Sequence, residues 1–393
     1  MTPKARNFNQ LKTPKGSQDV LPSLARRQEE QRRKLTGLFA HRGYNQIITP
    51  TLEKLESIIE AYGEERQNEL FKLVDNSGQV LVLRPDVTIP IARVVASRYP
   101  DNTEPLRVGY FTNIFSWDNH SHSHKEIYQA GVELIGEAGI LADLEVIAIM
   151  CDSITELGVG DRSKYQKTLV INDTNITDKL LAGCDTEVKT AFCHNDYAYL
   201  KANAPDMYEL AKLIGEPEKI FKQLDKNLKK AETEHLKKVY ELLSKHYPDI
   251  DIVVDITMRP DGNYYSGIMF DLMLDNTVVA QGGRYDKLLH AYGAERPAIG
   301  FALYMDKFNR VVEPKKAAKH DDKLVTIYYT PDSVPVAFEQ MRSSWENGHP
   351  VKQVLLKKLE DIDNYINDAG LFILCSSNSV LLIRENISDE ELL

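Results

Sequence analysis

A carboxylate and a hydroxyl follow an arginine in the stretch Arg84-Pro85-Asp86-Val87-Thr88. Set at the mouth of a sheet, Asp86 and Thr88 offer one anion and one acceptor, a pair that suits an ammonium group. The same residues fit the first turn of a helix over 89–98, where an acid and a hydroxyl favour the positive N-terminal end. Farther on comes Gln129-Ala130-Gly131-Val132-Glu133. The period of two in a strand puts Gln129, Gly131 and Glu133 on one face. A Gln and a Glu beside a glycine require a polar ligand, water or an exposed sheet face.

Glycines mark the next candidate region. Gln281-Gly282-Gly283-Arg284-Tyr285-Asp286 follows the β-branched residues Thr277, Val278 and Val279, and Pro297-Ala298-Ile299-Gly300-Phe301-Ala302 comes soon after. Paired glycines there read as a strand end whose backbone approaches a ligand closely, or as a glycine turn between two elements. Upstream, Asn263-Tyr264-Tyr265-Ser266-Gly267 sets two tyrosines at the start of an apolar strand over 268–274. A third constellation, His120, His122 and His124, alternates with serines, so an extended strand would let the rings converge on a metal. A tip with Asn119 and Lys125 reads more readily as a solvated loop, and no metal or cofactor is expected.

These groups need elements to position them. A charged helix is expected over 23–41, ended by Gly43. An edge strand over 44–49 stops at Pro50, a place that fits a sheet end at a subunit contact. Segments 70–73 and 80–83, split by Asp75-Asn76-Ser77-Gly78, read as a hairpin running into Arg84. A longer antiparallel pair covers 106–115 and 126–135. From 178 to 246 helix formers dominate, which predicts a helical insertion beside the sheet, and strand signals resume at 250–258. A linker over 313–322 leads to a small α/β unit with strands at 324–329, 371–375 and 380–384 and helices near 336–345 and 359–369.

At 393 residues, with 42% hydrophobic and 27% charged residues, the composition is that of a globular protein with a substantial core. No apolar run approaches the ~20 residues of a membrane span, and residues 1–15 are polar and basic without the apolar stretch of a secretory signal, which predicts a cytoplasmic protein. Cys151, Cys184, Cys193 and Cys375 lie far apart, which argues against a zinc site or a disulfide framework. A formal net charge of -10 demotes nucleic acid as a partner.

Taken together, segments 13–19, 83–88, 129–136, 264–267, 282–286 and 297–302 resemble, in this order, the histidyl branch of the class II aminoacyl-tRNA synthetases over residues 8–310. The resemblance implies an α+β fold, a class II aminoacyl-tRNA synthetase-like antiparallel sheet flanked by helices. Residues 1–318 would form that domain, with the helical insertion at 178–248, and 319–393 a small C-terminal α/β domain. It also implies a histidine pocket: Asp86, Thr88 and Gln129 hold the α-amino group, Glu133 and Tyr264 bind the imidazole, and Tyr265 and Tyr285 line the walls. Arg259 matches a further histidine-contacting arginine if one extra residue is allowed in 260–263. The chemistry agrees, since a zwitterion with an imidazole needs an anion, an acceptor for a ring N–H and aromatic surface.

The nucleotide side departs from the synthetase pattern. Phe115-Ser116-Trp117-Asp118 stands where Phe-Arg-x-Glu is expected, Lys307 replaces a second phosphate-binding arginine, and Tyr304 fills a glycine position. Each charge-assisted arginine contact contributes roughly 1.5–3 kcal/mol, and every ~1.4 kcal/mol is tenfold in rate, so adenylation should drop by orders of magnitude. A histidine pocket without this machinery resembles the regulatory subunits of ATP phosphoribosyltransferase, synthetase paralogues that pair with a short catalytic subunit in the first step of L-histidine biosynthesis. That resemblance implies a chain that catalyses nothing alone, activates the short-form catalytic subunit, conveys feedback inhibition by L-histidine, and forms a dimer within a hetero-octamer. The alternative is a catalytically active histidyl-tRNA synthetase or a synthetase-like adenylating enzyme. The C-terminal unit, where synthetases carry an anticodon-binding domain, keeps that alternative open, whereas Ser116 and Lys307 count against it.

Overall fold

A computed structural model describes residues 12–100, 103–118, 123–160, 164–258, 265–312, 324–364, 370–377 and 379–386. The chain divides into two compact units, Met1–Val312 and Glu313–Leu393. The boundary expected at 318 falls among residues 313–323, outside the described set.

In the first unit the strands are β1 (Asn45–Gln46), β2 (Leu52–Lys54), β3 (Lys72–Val74), β4 (Val80–Leu83), β5 (Leu106–Asp118), β6 (Ser123–Ile135), β7 (Lys167–Asp173), β8 (Ile214–Gly215), β9 (Asp251–Asp255), β10 (Ile268–Leu274), β11 (Thr277–Arg284) and β12 (Ala298–Tyr304). Among the described residues nine of them form one sheet in the order β1-β5-β6-β12-β11-β10-β7-β9-β8. From β5 to β7 every neighbour is antiparallel, as expected of the class II fold. The expected 44–49 strand shrinks to two paired residues at the sheet edge, where β1 runs parallel to β5.

Helix α1 (Pro22–His41) forms where the charged run predicts it, with Pro22 in its first turn and Gly43 at φ +85° just past its end. Its buried Leu35 and Phe39 face the sheet. Phe39 needs Gly109 beneath it, because a Cβ there would stand 3.1 Å from the ring, and it meets Phe301 edge-on at 6.3 Å. The hairpin β3–β4 is joined by β2 into a separate three-stranded sheet, order β2-β4-β3, which 52–54 does not announce in sequence. Helices α2 (Leu55–Tyr62) and α3 (Thr88–Arg98) belong with it to the core on the front of the large sheet.

The back of the sheet is covered by α1, by α4 (Ile140–Glu156) and by the insertion, whose helices run from Thr174–Leu180 to Lys230–His246. Neither α4 nor β7 is assigned from sequence. Helix α4 buries nine residues spread around much of its circumference, so its amphipathic period is weak. Burying aliphatic side chains such as Val146, Ile147, Met150 and Ile154 contributes about 1.5–3 kcal/mol each before entropy is subtracted.

In the second unit a four-stranded sheet of Val325–Tyr329, Val351–Leu355, Gly370–Cys375 and Val380–Asn386 packs a helix, Val334–Glu346. The strand Val351–Leu355 is an addition to the sequence reading. The helix expected over 359–369 is a 3-10 stretch over Leu359–Asn364, and 365–369 lie outside the described residues.

Candidate functional site

Strand register builds the site. On the front face, Glu133 of β6 pairs with Gly300 of β12, which pairs with Gly283 of β11. One row along, Gly131 pairs with Ala302 and Ala302 with Gln281. Four residues with no side chain or a methyl group thus make a trough floor, walled by Gln129, Glu133 and Tyr304 on their own strands. The glycines are not at a turn. Gly282 and Gly283 lie inside β11, and what approaches their backbone is the protein's own side chains. A Cβ on Gly283 would stand 2.6 Å from the Tyr265 ring, and one on Gly131 2.6 Å from the Tyr110 hydroxyl. One on Gly300 would overlap the Glu133 carboxylate, while Gly282 makes room for Phe270 on the back face. The close approach expected of a ligand is therefore taken, at these backbones, by aromatic rings and by Glu133.

Glu133 is 1% exposed. Its carboxylate accepts hydrogen bonds from the Thr88 hydroxyl at 2.7 Å and from the Tyr285 hydroxyl. Burial pushes its pKa up to about 8, the two donors pull it down, and the nearby Asp86 carboxylate pushes it up again. The group is thus largely protonated at neutral pH, and a cation entering the trough would favour its ionised form. Asp86 plays the helix role read from sequence, its Oδ1 accepting from the Ile89 N–H at 2.8 Å in the first turn of α3. The helix reading and the site reading coexist, because the start of α3 borders the trough.

Of the expected site residues, the structure gathers Thr88, Glu133 and Tyr285 by hydrogen bonds and places Gln129 on the same face of β6 as Glu133. Tyr265 lies over Gly283, and Asp86 stands close enough to affect Glu133. Thr88, expected beside the α-amino group, donates to Glu133. Arg259 and Tyr264 lie outside the described residues, as do His120 and His122, together with the His124 side chain. Among the described residues no group of three His, Cys, Asp or Glu side chains could hold a metal ion. Arg84 is engaged by the backbone and side chains of neighbouring segments. Buried, it donates to the carbonyls of Thr49, Pro50 and Asn113 and to the side chains of Thr112 and Asn113, which ties the end of β4 to β5.

The sequence family described as histidyl-tRNA synthetase matches residues 16–308. The ATP phosphoribosyltransferase regulatory subunit of Bacillus subtilis is 30% identical over 376 residues, covering 89% of this chain and 93% of its own. That of Synechococcus sp. strain JA-3-3Ab is 32% identical, over 90% of this chain and 89% of its own. This chain belongs to the ATP phosphoribosyltransferase regulatory subunit family. Solved structures carry the same fold. A chain described as an ATP phosphoribosyltransferase regulatory subunit/histidyl-tRNA synthetase from Bacillus halodurans C superposes with a TM-score of 0.77 at 24% identity, covering 93% of this chain and 98% of that one. Apo histidyl-tRNA synthetase from S. aureus gives 0.66 at 20% identity, covering 93% and 91%. The names carried by the sequence relatives are those of a regulatory subunit rather than a catalyst.

The far end of the trough is formed by Tyr304 of β12 and Gln281 of β11. There the Tyr304 hydroxyl donates to Gln281 Oε1 at 2.9 Å, and Gln281 Nε2 donates to both Asp271 oxygens at 3.2 Å. Lys307 Nζ lies 4.3 Å from the Tyr304 ring centroid. Burial raises the Asp271 pKa to about 6 and lowers that of Lys307. Residues standing where the synthetase pattern has a glycine and an arginine are thus absorbed into an internal chain of contacts. Asp271 and Gln281 have no assigned role in the sequence reading. The available signal is a lone carboxylate in Ile268–Leu274, a strand otherwise apolar.

Proposed function

We propose that this chain activates a short-form ATP phosphoribosyltransferase catalytic subunit and transmits feedback inhibition by L-histidine, in the first step of L-histidine biosynthesis. The observation that carries the reading is the Glu133 carboxyl, buried at the end of a glycine-floored trough and held by Thr88 and Tyr285. An acceptor with a raised pKa, beside Asp86 and near aromatic surface, suits an imidazole that can share a proton and an ammonium that needs an anion. In this reading Asp86, Thr88 and Gln129 take the α-amino group, Glu133 with Tyr264 takes the imidazole, and Tyr265 and Tyr285 line the pocket, with Arg259 as a further contact. Histidine inhibits by binding one state of the assembly more tightly than the other.

The assembly proposed is a synthetase-type dimer within a cytoplasmic hetero-octamer. The three-stranded sheet supports a self-contact. Leu52 and Leu73 lie on one of its faces by strand register, Phe71 just before β3 continues the alternation, and they are 45%, 39% and 41% exposed; on the other face Val82 is fully buried and Val74, at the strand end, is 69% exposed. A sheet with both faces apolar needs cover on both.

Replacing Glu133 by Ala tests the pocket. Histidine inhibition of the reconstituted enzyme should weaken by at least about tenfold, the scale of one lost charge-assisted hydrogen bond, while activation of the partner persists. Unchanged inhibition would remove Glu133 from the site. The synthetase alternative predicts histidine-dependent exchange between ATP and pyrophosphate, which Ser116 and Lys307 argue against.

A further inference from the structure

Behind the trough, Arg284 is 8% exposed and binds Asp143 Oδ1 of α4 through Nε at 2.9 Å and Nη2 at 2.6 Å. Its Nη1 donates to Asp286 Oδ1 at 3.1 Å. The other Asp143 oxygen lies 2.9 Å from Nε2 of His235, on the Lys230–His246 helix of the insertion, and His235 Nδ1 is 3.3 Å from Asp173 Oδ2 at the end of β7. The imidazole therefore hydrogen-bonds one carboxylate, Asp143, through Nε2 and stands at ion-pair distance from a second, Asp173, through Nδ1, so that it links two elements.

Both carboxylates support the turn that carries Tyr265. On one side, the Asp286 N–H donates to Ser266 Oγ at 2.8 Å, the Ser266 N–H donates to the Arg284 carbonyl at 2.8 Å, and the Arg284 side chain lies over Gly267. On the other, the Thr174 N–H donates to the Gly267 carbonyl at 3.0 Å, at the start of the Thr174–Leu180 helix that Asp173 caps through the Asn175 N–H at 2.9 Å. The charged groups around the ring are Asp143 of α4, Asp173 of β7, Arg284 and Asp286 at the end of β11, and the Lys179–Glu232 pair linking the Thr174–Leu180 helix to His235's own. Two carboxylates, Asp143 and Asp286, bind Arg284, and His235 supplies a second cation between Asp143 and Asp173: Asp143 first and Asp173 next raise its pKa to about 9, so the ring is charged at neutral pH.

We propose that His235 is a positioning residue for the trough, bridging the two supports of the Tyr265-Ser266-Gly267 turn so that ligand occupancy at Glu133 and the order of the insertion helix Lys230–His246 are coupled. The coupling rests on the reading of the trough as a histidine site. It is reciprocal, so whatever orders or loosens the insertion changes affinity at the trough by the same factor.

Hydrogen–deuterium exchange of the full chain, with and without L-histidine, tests both statements separately. In the wild-type protein histidine should slow exchange at 129–133 and also at 230–246. His235→Leu should keep the first protection, lose the second and bind histidine about tenfold more weakly. His235→Gln, which can still donate to Asp143, should recover part of both. Protection at 129–133 without any at 230–246 in the wild-type protein overturns the coupling and leaves the site standing, as does wild-type protection of both segments in His235→Leu. Absence of protection at 129–133 in the wild-type protein overturns the site reading, and this inference with it.

Discussion

At the scale of single residues, Glu133 has consequences for stability before any ligand arrives. Its folded pKa of about 8 lies above the ordinary value of 4.5, so between those limits the folded chain keeps a proton that the unfolded chain has lost. The contribution is full below about pH 4.5 and is lost as pH rises through 8, at about 1.4 kcal/mol per pH unit for one proton. Glu133→Gln removes this slope, so its stability relative to wild type should grow from pH 5 to pH 8 in denaturant titrations. Parallel curves for the two proteins would show that Glu133 is ionised in the folded state. Glu133 itself is legible in the sequence, because alternation along one strand fixes its face. Tyr285 is expected on the pocket wall from the resemblance, although its hydrogen bond to Glu133 is not legible. The Tyr304–Gln281–Asp271 chain and the Arg284–Asp143–His235–Asp173 cluster are not legible, because each joins residues far apart in sequence through strand register and helix docking.

At the scale of elements, the trough exists because β12 and β11 approach β6 with glycines at the crossing points. A methyl group on Gly300 would overlap Glu133, so either β12 shifts or the carboxylate leaves Thr88 and Tyr285. Gly300→Ala should cost about 1–3 kcal/mol of stability, the usual scale of overpacking, and weaken histidine binding at least as much as Glu133→Ala. Gly37→Ala in α1, where a Cβ meets nothing within 4 Å, is the control and should be neutral or slightly stabilising. Calorimetric titration with histidine checks both. If Gly300→Ala binds as well as wild type, the position in which Thr88 and Tyr285 hold the Glu133 carboxylate is not needed for binding. Elements with a clear period or punctuation were readable, among them α1 before Gly43, the β3–β4 hairpin around Asp75-Asn76-Ser77-Gly78, and the long β5–β6 pair. Helix α4, buried on several sides, and the two-residue β1 carry signals too weak or too short to place from local sequence.

For the whole molecule, family membership and fold agree with a synthetase-like body in a regulatory role, and the front face of the large sheet holds both the glycine-floored trough around Glu133 and the Tyr304–Gln281–Asp271 chain at its far end. No described helix is long and apolar enough to cross a membrane. The proposed regulatory role is read from the initial rate of phosphoribosyl-ATP formation by the short catalytic subunit from the same genome, with and without this chain, across a histidine titration. The chain should raise the rate, and histidine should lower it again in the complex. A rate unaffected by the chain at every histidine concentration would contradict that role.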